Sequence, residues 1–222
     1  SFDLALSKRA GFPFPVKVHQ IETRNTKKRK LYTAQRAAVW SSILRKLTMI
    51  IGPPGTGKSD TLVEIINVLA YNFCRKVRQR MLVVSHSNRA LDQLYEAVVE
   101  FYKMESVHAP ELWVPDMVRL GGAYNKTSRY DIINADIVFM TCTGCATRRF
   151  SLKWEFDIVI AEEAAKITQP EALPFLSYNP SRLILVGDHL QLSPVIVDPT
   201  IKERTWLEES LFQVLLRKEV PT

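Results

Sequence analysis

The feature that most restricts how this chain can fold is a glycine-rich loop between a short apolar segment and an amphipathic one. The loop reads Gly52-Pro53-Pro54-Gly55-Thr56-Gly57-Lys58-Ser59. It matches the pattern G-x-x-x-x-G-K-[ST] in full, and that pattern requires a strand before the loop and a helix after it. Thr48–Ile51 has the composition of a buried strand, and apolar residues recur at helical spacing over 58–73. The sequence therefore predicts a strand–loop–helix unit.

The residue types in this loop suit phosphate binding. Gly55 and Gly57 allow the backbone to curl so that successive N–H groups point inward at phosphate oxygens. The start of the following helix adds a partial positive charge. Lys58 is placed to reach the β- and γ-phosphates of a nucleotide, and the Ser59 hydroxyl is a candidate Mg²⁺ ligand. A chance glycine turn is the alternative, and the full match in this context disfavours it.

Strand-like and helix-like segments alternate along the rest of the chain. A helix is predicted from Thr33, with Thr33 as its N-cap, and another over 88–102. Such alternation is typical of β-α-β crossovers. We therefore predict an α/β fold, a parallel sheet flanked by helices, that occupies 31–222 as one domain. The remaining predicted strands are short, β-branched segments at 81–84, 117–120, 137–141, 158–161 and 183–186.

Paired carboxylates end one of these strands. Glu162 and Glu163 directly follow the apolar run Ile158–Ala161. A phosphate-binding loop needs a carboxylate at a nearby strand end for Mg²⁺ and a second group that activates water. We therefore predict that Glu162 holds Mg²⁺ and that Glu163 polarises the attacking water. The alternative is a charged helix N-terminus that complements the helix dipole.

The basic charge of the chain is concentrated near its start. The net charge is +7, and residues 1–30 hold eight Lys or Arg against two acidic residues. We predict an irregular basic leader over 1–30, with one short strand at 15–21. The run Lys27–Lys30 is suited to attract phosphate backbones independently of base sequence. A solvated loop before the first helix explains the same run, so charge alone does not establish nucleic-acid binding.

Composition argues against several classes of protein. No apolar run approaches the ~18 residues that a membrane helix needs, and Ser1–Leu4 does not have the pattern of a signal peptide. Three cysteines form no disulfide framework, which favours a reducing compartment. Cys142 and Cys145 form a C-x-x-C, but zinc would need two further ligands. We interpret these two as small, half-buried residues, and a redox pair is the alternative.

Five segments occur in an order that is typical of one family. They are Tyr32–Gln35, Gly52–Ser59, Ser85–Asp92, Glu162–Ala165 and Gly187–Leu192. Together they resemble the first RecA-like domain of superfamily 1 helicases, in the branch related to the nonsense-mediated-decay helicase. The resemblance covers 31–222. It implies a RecA-like P-loop NTPase domain, with ATP and Mg²⁺ as cofactors.

The resemblance also implies roles for single residues. Gln35 matches the glutamine that hydrogen-bonds adenine, while Asp188 and Gln191 match the motif that senses the γ-phosphate. Taken singly, such residues are more often caps or turns, and Asn88 is a candidate helix N-cap. Their joint order favours the functional interpretation. Contacts to the backbone of a single nucleic-acid strand are implied for Ser87, Asn88, Thr141 and Thr143.

Three residues depart from the family pattern. Glu162 stands where the family usually has Asp, Lys166 where glutamine is common, and Ser193 where proline is usual. The extra methylene of Glu162 shifts the carboxylate that would meet Mg²⁺. Lys166 adds a positive charge on the γ-phosphate side. The segment 121–135 is also short, where many relatives carry inserted domains.

The resemblance further implies partners and a cellular setting. The expected partners are single-stranded RNA, with DNA as the alternative, and a second RecA-like domain or partner chain. No segment after Gly187–Leu192 resembles the motifs of that second domain. An arginine finger is worth about 10³–10⁵ in rate in P-loop NTPases, so we expect this chain to bind ATP and hydrolyse it weakly. Pre-mRNA splicing or RNA surveillance is implied, with spliceosomal proteins as candidate partners, no membrane, and a nuclear location with the cytoplasm as the alternative.

Two other functions fit part of the sequence. A different P-loop enzyme, such as a kinase or an AAA-type ATPase, would share the phosphate loop. Gln35 and Gly187–Leu192 disfavour it, and no arginine-rich substrate lid is recognisable. A catalytically weak scaffold in an RNA–protein assembly would share all the motifs. Glu163→Gln separates this scaffold from an enzyme, because a scaffold should lose nothing from the change.

Overall fold

A parallel sheet of six strands forms the centre of the molecule, in the order β1-β6-β5-β2-β4-β3. The computed structural model describes residues 31–109, 111–122, 124, 128–149, 154–188, 190, 194 and 209–218. The six strands predicted within 31–222 are confirmed, each within one residue at either end. Their bounds are β1 (Leu47–Ile51), β2 (Met81–Ser85), β3 (Met117–Leu120), β4 (Ile137–Thr141), β5 (Ile158–Glu162) and β6 (Arg182–Gly187).

Helices cover both faces of the sheet, and the predicted α/β class is confirmed. A π-helical turn, Ala70–Cys74, and a last turn, Arg75–Val77, follow the second helix. A 3₁₀ turn, Ala164–Lys166, follows β5. The helices are α1 (Thr33–Leu44), α2 (Lys58–Leu69), α3 (Asn88–His108), α4 (Arg129–Asn134), α5 (Cys142–Arg149), α6 (Gln169–Leu176) and α7 (Leu211–Arg217).

Alternate residues of the strands pack into two hydrophobic cores. In β2, Met81 and Val83 face the core built with α1, α2 and α3, while Leu82 and Val84 face the core built with α5, α6 and α7. All five residues of β2 are buried. This pattern explains why the strand has no polar alternation, since a parallel sheet covered on both faces exposes neither side to water.

Two predicted helix caps are wrong. Tyr32, not Thr33, is the N-cap of α1, because its backbone N–H donates to Gln35 Oε1 at 2.9 Å. Ser87, not Asn88, caps α3, because Ser87 Oγ accepts from the Ala90 N–H at 3.2 Å. In each case the predicted cap is the first residue of the helix, and the true cap lies one residue before it. Asn88 is thereby left as the first residue of α3, with its side chain available for other contacts.

Two predicted helix ends also differ from the structure. The pattern over 58–73 is α-helical only to Leu69 and continues through the π-helical turn. The pattern over 88–102 ends six residues early, because α3 extends to His108. Tyr102 still packs into the core near this end, whereas Met104 and Val107 are exposed. Exposed apolar residues in the last turns blur the helical period from which the end was predicted.

Cys142 and Cys145 are fully buried on α5, so the half-buried interpretation is wrong. They lie in the core shared with β4 and α6, and all three cysteines of the chain are free thiols. Burial raises the pKa of the Cys142 thiol, with Glu171 and Cys145 adding to the effect. The predicted leader and its strand at 15–21 lie outside the described residues. Within the described ranges, no helix combines the length and apolar character needed to cross a bilayer.

Candidate nucleotide and strand site

The described residues of the predicted site all lie at one edge of the sheet. The phosphate loop follows β1, Asp188 follows β6 and Glu162 ends β5. The segments implied in strand binding follow β2 and β4. Because all six strands are parallel, their carboxyl ends meet at the same edge, where α/β proteins bind ligands. The order of strands places the nucleotide candidates on β1, β6 and β5, beside the strand-binding candidates on β2 and β4.

The phosphate loop has the backbone that its glycines predict. Gly55 and Gly57 have φ of 75° and 74°, in the left-handed region that glycine adopts without strain. A Cβ at Gly57 would also lie 2.5 Å from Gln35 Nε2. The Thr56 hydroxyl donates to the Pro53 carbonyl at 2.8 Å, which closes the turn. Gly57 then forms the N-cap of α2, so the positive end of this helix faces the loop.

Lys58 lies within this loop with its ammonium group held by backbone oxygens. Its Nζ donates to the carbonyls of Gly52 and Pro53 at 2.5 and 2.9 Å. Both acceptors are neutral. Phosphate oxygens carry full negative charge and form stronger charge-assisted hydrogen bonds. The phosphates of a nucleotide would therefore be better acceptors for Lys58 Nζ than these two carbonyls.

Gln35 bridges the start of α1 and the phosphate loop. Its Oε1 accepts from the Tyr32 N–H, and its Nε2 donates to the carbonyls of Thr56 and Gly57 at 3.2 and 3.4 Å. The side chain that is predicted to contact adenine is therefore already hydrogen-bonded to the phosphate loop. Tyr32 is 78% exposed beside it. The geometry places Gln35 next to the nucleotide loop, and its adenine role stays a prediction.

Glu162 ends β5 against the end of β2. It is in register with Ser85, and both Glu162 Oε2 and Ser85 Oγ are buried without a hydrogen-bond partner among the described residues. Burial raises the pKa of Glu162 to about 6, and the nearby Glu163 adds to this, while the positive charges of Lys166 and Lys58 oppose it. Buried oxygens of this kind need a donor or a cation.

Glu163 follows in a conformation that is uncommon for its residue type. Its φ of 52° and ψ of 38° lie in the left-handed region, which costs a non-glycine residue on the order of 1 kcal/mol. The turn that follows brings Lys166 Nζ to 2.8 Å from Glu163 Oε1. Lysine in place of the usual glutamine at position 166 thus pairs the candidate catalytic carboxylate with a cation.

Asp188 completes the wall of the site from β6. It is 6% exposed, and its Oδ1 accepts from the Leu190 N–H at 3.0 Å. The preceding Gly187 accepts a hydrogen bond from the Gly52 N–H at 3.2 Å, which ties this wall to the phosphate loop. Gln191, predicted to act with Asp188, and Ser193 lie outside the described residues.

A cavity of about 250 Å³ joins these groups. Ser59 and Glu162 both line it, and they fit a Mg²⁺ that takes a hydroxyl, a carboxylate, phosphate oxygens and water. The orphaned Glu162 Oε2 is the observation that supports this fit. No cluster of three His, Cys, Asp or Glu that could hold a metal alone occurs in the described part of the chain. The lining residues are Lys58, Ser59, Leu62, Ala90, Gln93, Glu162, Glu163, Ala165, Lys166, Val186, Gly187 and Asp188.

The four residues implied in strand binding lie at the same sheet edge. Ser87 and Asn88 start α3, and Thr141 ends β4, where its Oγ1 accepts from the Gly144 N–H at 3.0 Å. Thr143 is exposed on the first turn of α5. Ser85 of β2 is in register with Thr141. The structure therefore brings these segments together, while their contact with nucleic acid stays a prediction.

Sequence reasoning missed several residues of the site. Ala90 and Gln93 line the cavity from α3, two and five residues after Asn88. Ser85 provides a buried hydroxyl beside Glu162. Ser85 could have been found, because it is the polar residue that ends an apolar strand next to the carboxylate strand. Gln93 has no distinguishing signal in the sequence, since its position depends on how α3 crosses the sheet.

A model of one protein family matches most of the chain. This family is described as an AAA domain, and the matches cover residues 30–131 and 122–199. The chain belongs to this family. The match includes every site segment described above, from Gln35 to Asp188. The domain also contains residues that the structure does not describe.

Curated relatives of this AAA domain carry the names of helicases. The ATP-dependent helicase upf1 of Schizosaccharomyces pombe is 28% identical over 84% of the chain and 24% of the relative. A Regulator of nonsense transcripts 1 homolog of Neurospora crassa is 29% identical over 85% of the chain and 20% of the relative. The DNA replication ATP-dependent helicase/nuclease DNA2 of Saccharomyces cerevisiae is 32% identical over 77% of the chain and 11% of the relative. The chain thus spans a quarter or less of these relatives, which support a superfamily 1 domain of the Upf1-like branch.

A solved structure supports the fold of the AAA domain. The UvsW helicase from bacteriophage T4 is similar with a TM-score of 0.60, over 84% of this chain and 69% of that one. The sequence identity is 12%, so the likeness concerns the fold alone. It confirms the predicted RecA-like α/β class.

Proposed function

We propose that this AAA domain is the ATP-hydrolysing core of an RNA helicase that grips single-stranded RNA. One observation carries the proposal: the phosphate loop and the paired carboxylates Glu162 and Glu163 line a single cavity of about 250 Å³. That cavity adjoins the edge where Ser87 and Thr141 lie. A kinase or another P-loop ATPase would not need the second set of residues, and the helicase names of the relatives support the same choice.

The residues of the cavity would divide the chemistry among them. Lys58 would release its two carbonyl acceptors and bind the β- and γ-phosphate oxygens. Ser59 and Glu162 would hold Mg²⁺, which neutralises charge on the phosphates when bound. Glu163 would orient a water in line with the γ-phosphate and accept its proton as the P–O bond to ADP breaks. ATP and water thereby give ADP and phosphate.

RNA is proposed as the strand over DNA, with pre-mRNA splicing or RNA surveillance in the nucleus as the setting. Two relatives are named for nonsense transcripts or as upf1, whereas another is named for DNA replication, so DNA is the alternative. Within the branch, the motifs resemble those of Aquarius, the intron-binding spliceosomal helicase. Glu162 in place of the usual Asp supports this narrower assignment, and spliceosomal proteins are the partners it proposes. The segments that carry the likeness are Thr141-Cys142-Thr143, Gly187-Asp188-His189, Ser210-Leu211-Phe212 and Val220-Pro221-Thr222.

A second RecA-like domain or a partner chain is proposed to complete the motor. The Lys166–Glu163 ion pair favours slow basal turnover, because the candidate base is neutralised by a neighbour 2.8 Å away. The same pair favours the alternative of a weak scaffold that binds ATP without using it. The motor and the scaffold differ in whether their function requires the Glu163 carboxylate.

The test measures ATP binding and phosphate release with Mg²⁺, with and without single-stranded RNA. Lys58→Ala should abolish both, and Lys46→Ala is its control, because Lys46 is exposed just before β1 at the opposite edge of the sheet. Glu163→Gln should keep ATP binding and lower turnover by about 10²–10⁴. Turnover that is unchanged in Glu163→Gln would support the scaffold. ATP binding that survives Lys58→Ala would overturn the nucleotide site itself.

A further inference from the structure

A buried arginine lies beneath the strand-binding edge and is not part of the nucleotide cavity. Arg119 is on β3, and its side chain is 0% exposed. All three guanidinium nitrogens donate: Nε to Asp92 Oδ1 at 2.7 Å, Nη2 to Asn88 Oδ1 at 2.7 Å, and Nη1 to the Leu120 carbonyl. The guanidinium carbon also lies 5.9 Å from the Tyr124 ring centre. Arg119 thus ties β3 to the first turns of α3.

The chemistry of this contact determines which way the Asn88 amide faces. A guanidinium group has only hydrogen-bond donors, so it can bind only the amide oxygen of Asn88. The positions of Oδ1 and Nδ2 in the Asn88 amide are therefore fixed. Asn88 is exposed, and its Nδ2 donates to no described residue. Both N–H groups of the amide are therefore available to an acceptor at the carboxyl edge of the sheet.

The turn after β3 is shaped to allow this contact. Gly122 has a φ of 60°, and a Cβ there would lie 3.3 Å from Asn88 Oδ1 and 3.5 Å from Arg119 Nη2. Gly121 has a φ of 93°. A side chain at either position would be strained, and at Gly122 it would crowd the amide. The backbone is thus fitted around the Arg119–Asn88 pair.

Arg119 does not contact a strand itself. It is fully buried, and its charge is balanced by Asp92, whose side chain is 29% exposed. We infer that Arg119 is a positioning residue for strand binding: it fixes the Asn88 amide so that its N–H donors face a backbone phosphate. This inference rests on the proposed function, because it assumes that a single strand lies at this edge. Phosphate contacts of this type are independent of base sequence and of the sugar.

Asn88→Asp tests the inference with the least structural change. A carboxylate keeps an acceptor for Arg119 but replaces the two donors with negative charge. We expect a thermal midpoint that is unchanged or raised, and affinity for fluorescein-labelled oligouridylate and oligothymidylate that falls about tenfold or more for both. Affinity for a labelled ATP analogue should not change. Asn134→Asp is the control, because it adds the same charge at an exposed residue of α4 near the amino edge of the sheet.

A double-mutant cycle tests whether Arg119 acts through Asn88. Asn88→Ala should weaken oligonucleotide binding in the wild-type background and have little further effect in Arg119→Met. Additive losses would overturn the positioning role. If Arg119→Met does not fold, Arg119→Lys takes its place in the cycle, because lysine keeps the charge but lacks the fork of donors that reaches both Asp92 and Asn88. Oligonucleotide binding by Asn88→Asp equal to wild type would overturn the inference alone. No oligonucleotide binding by the wild-type chain, with ATP binding intact, would overturn both the inference and the proposed strand function.

Discussion

At the scale of single residues, the site is governed by how two adjacent glutamates differ. Glu162 lies on a regular strand with a buried oxygen that has no partner among the described residues, whereas Glu163 lies in a left-handed turn and is paired with Lys166. Neighbours in sequence thus have opposite electrostatic surroundings. Pairs of titratable groups with different surroundings are typical of sites that divide chemical roles between them.

Lys166→Gln should change both kinetic parameters of ATP hydrolysis. Loss of the ion pair frees the Glu163 carboxylate to act on water, so we expect kcat to rise. The rise should be at most about fivefold, because a partly exposed ion pair contributes up to about 1 kcal/mol. The cavity also loses a positive charge, so KM for ATP should rise. Steady-state phosphate release measures both, with Lys103→Gln, an exposed change on α3, as the control. A fall in kcat would mean that Lys166 contributes directly to the reaction.

Glu162→Gln should make the metal-free protein more stable at high pH. The pKa of Glu162 is raised to about 6 in the folded protein from an ordinary 4.5, so the folded state binds the proton more tightly than the unfolded chain. Stability from this group is present below pH 4.5 and is lost as pH rises through 6. The loss is on the order of 1–2 kcal/mol.

Urea unfolding at about pH 5 and about pH 8 measures this effect. The advantage of Glu162→Gln over wild type should be larger at the higher pH. Glu155→Gln is the control, because Glu155 is exposed before β5. An advantage that is equal at both values would show that Glu162 does not titrate in this range.

At the scale of elements, the end of β6 packs closely against the backbone of the turn after β5. A Cβ at Gly187 would lie 3.0 Å from the Ala165 backbone nitrogen and 3.3 Å from the Ala165 Cβ. Neither atom belongs to a flexible side chain. Glu163 and Lys166 flank this contact, so their geometry depends on it.

Gly187→Ala should destabilise the fold by about 1–3 kcal/mol, as overpacking does. Gly144→Ala on α5 is the matched control. Its nearest atoms are the Thr141 Oγ1 and Arg148 Nη1 side-chain ends at 3.2 and 3.4 Å, and a helix favours alanine over glycine. Denaturant unfolding compares the two variants. Equal midpoints would contradict the proposed crowding at Gly187.

The sequence predicted the strands better than the helices, for a physical reason. Strands buried on both faces are continuous apolar runs, and all six were found from that property. Helices α4 to α7 were missed because they are only six to eight residues long, too short for a helical period to stand out; α6 also contains Pro170 and Pro174. Three of them do carry a capping-box signal that could have revealed them. These pairs are Ser128 with Asp131, Thr168 with Glu171, and Ser210 with Gln213.

The candidate site was predictable as a set of loops and not as a set of contacts. The pattern of the phosphate loop and the acidic strand end is local, so Lys58, Ser59 and Glu162 follow from sequence. The pairing of Lys166 with Glu163 depends on a left-handed residue in the turn, which the sequence does not mark. The contact of Arg119 with Asn88 joins residues on different elements, and only the packing of α3 across the sheet creates it.

At the scale of the whole molecule, the charge lies apart from the described site. Residues 1–30 carry a net charge of +6 out of the +7 of the chain. Removing them should leave ATP binding unchanged, since every cavity residue lies after Gln35 in sequence. Affinity for a single strand should fall, and its dependence on salt should weaken, because fewer counterions are released.

Titration of labelled oligouridylate at several salt concentrations measures that dependence. The full chain and the chain that starts at residue 31 are compared, with a labelled ATP analogue as the control for folding. An equal salt dependence in both chains would show that the basic leader is a solvated segment. It would also assign strand affinity to the sheet edge alone.

The all-parallel sheet has a practical consequence for handling the protein. Each site segment follows the carboxyl end of a strand, so the amino edge lies about one strand length away from the chemistry. Exposed residues such as Lys46 and Arg78 lie at that edge. A dye, a surface tether or a bead attached there would leave the site segments unobstructed. The amino edge of the sheet is thus a suitable attachment site for single-molecule force measurements.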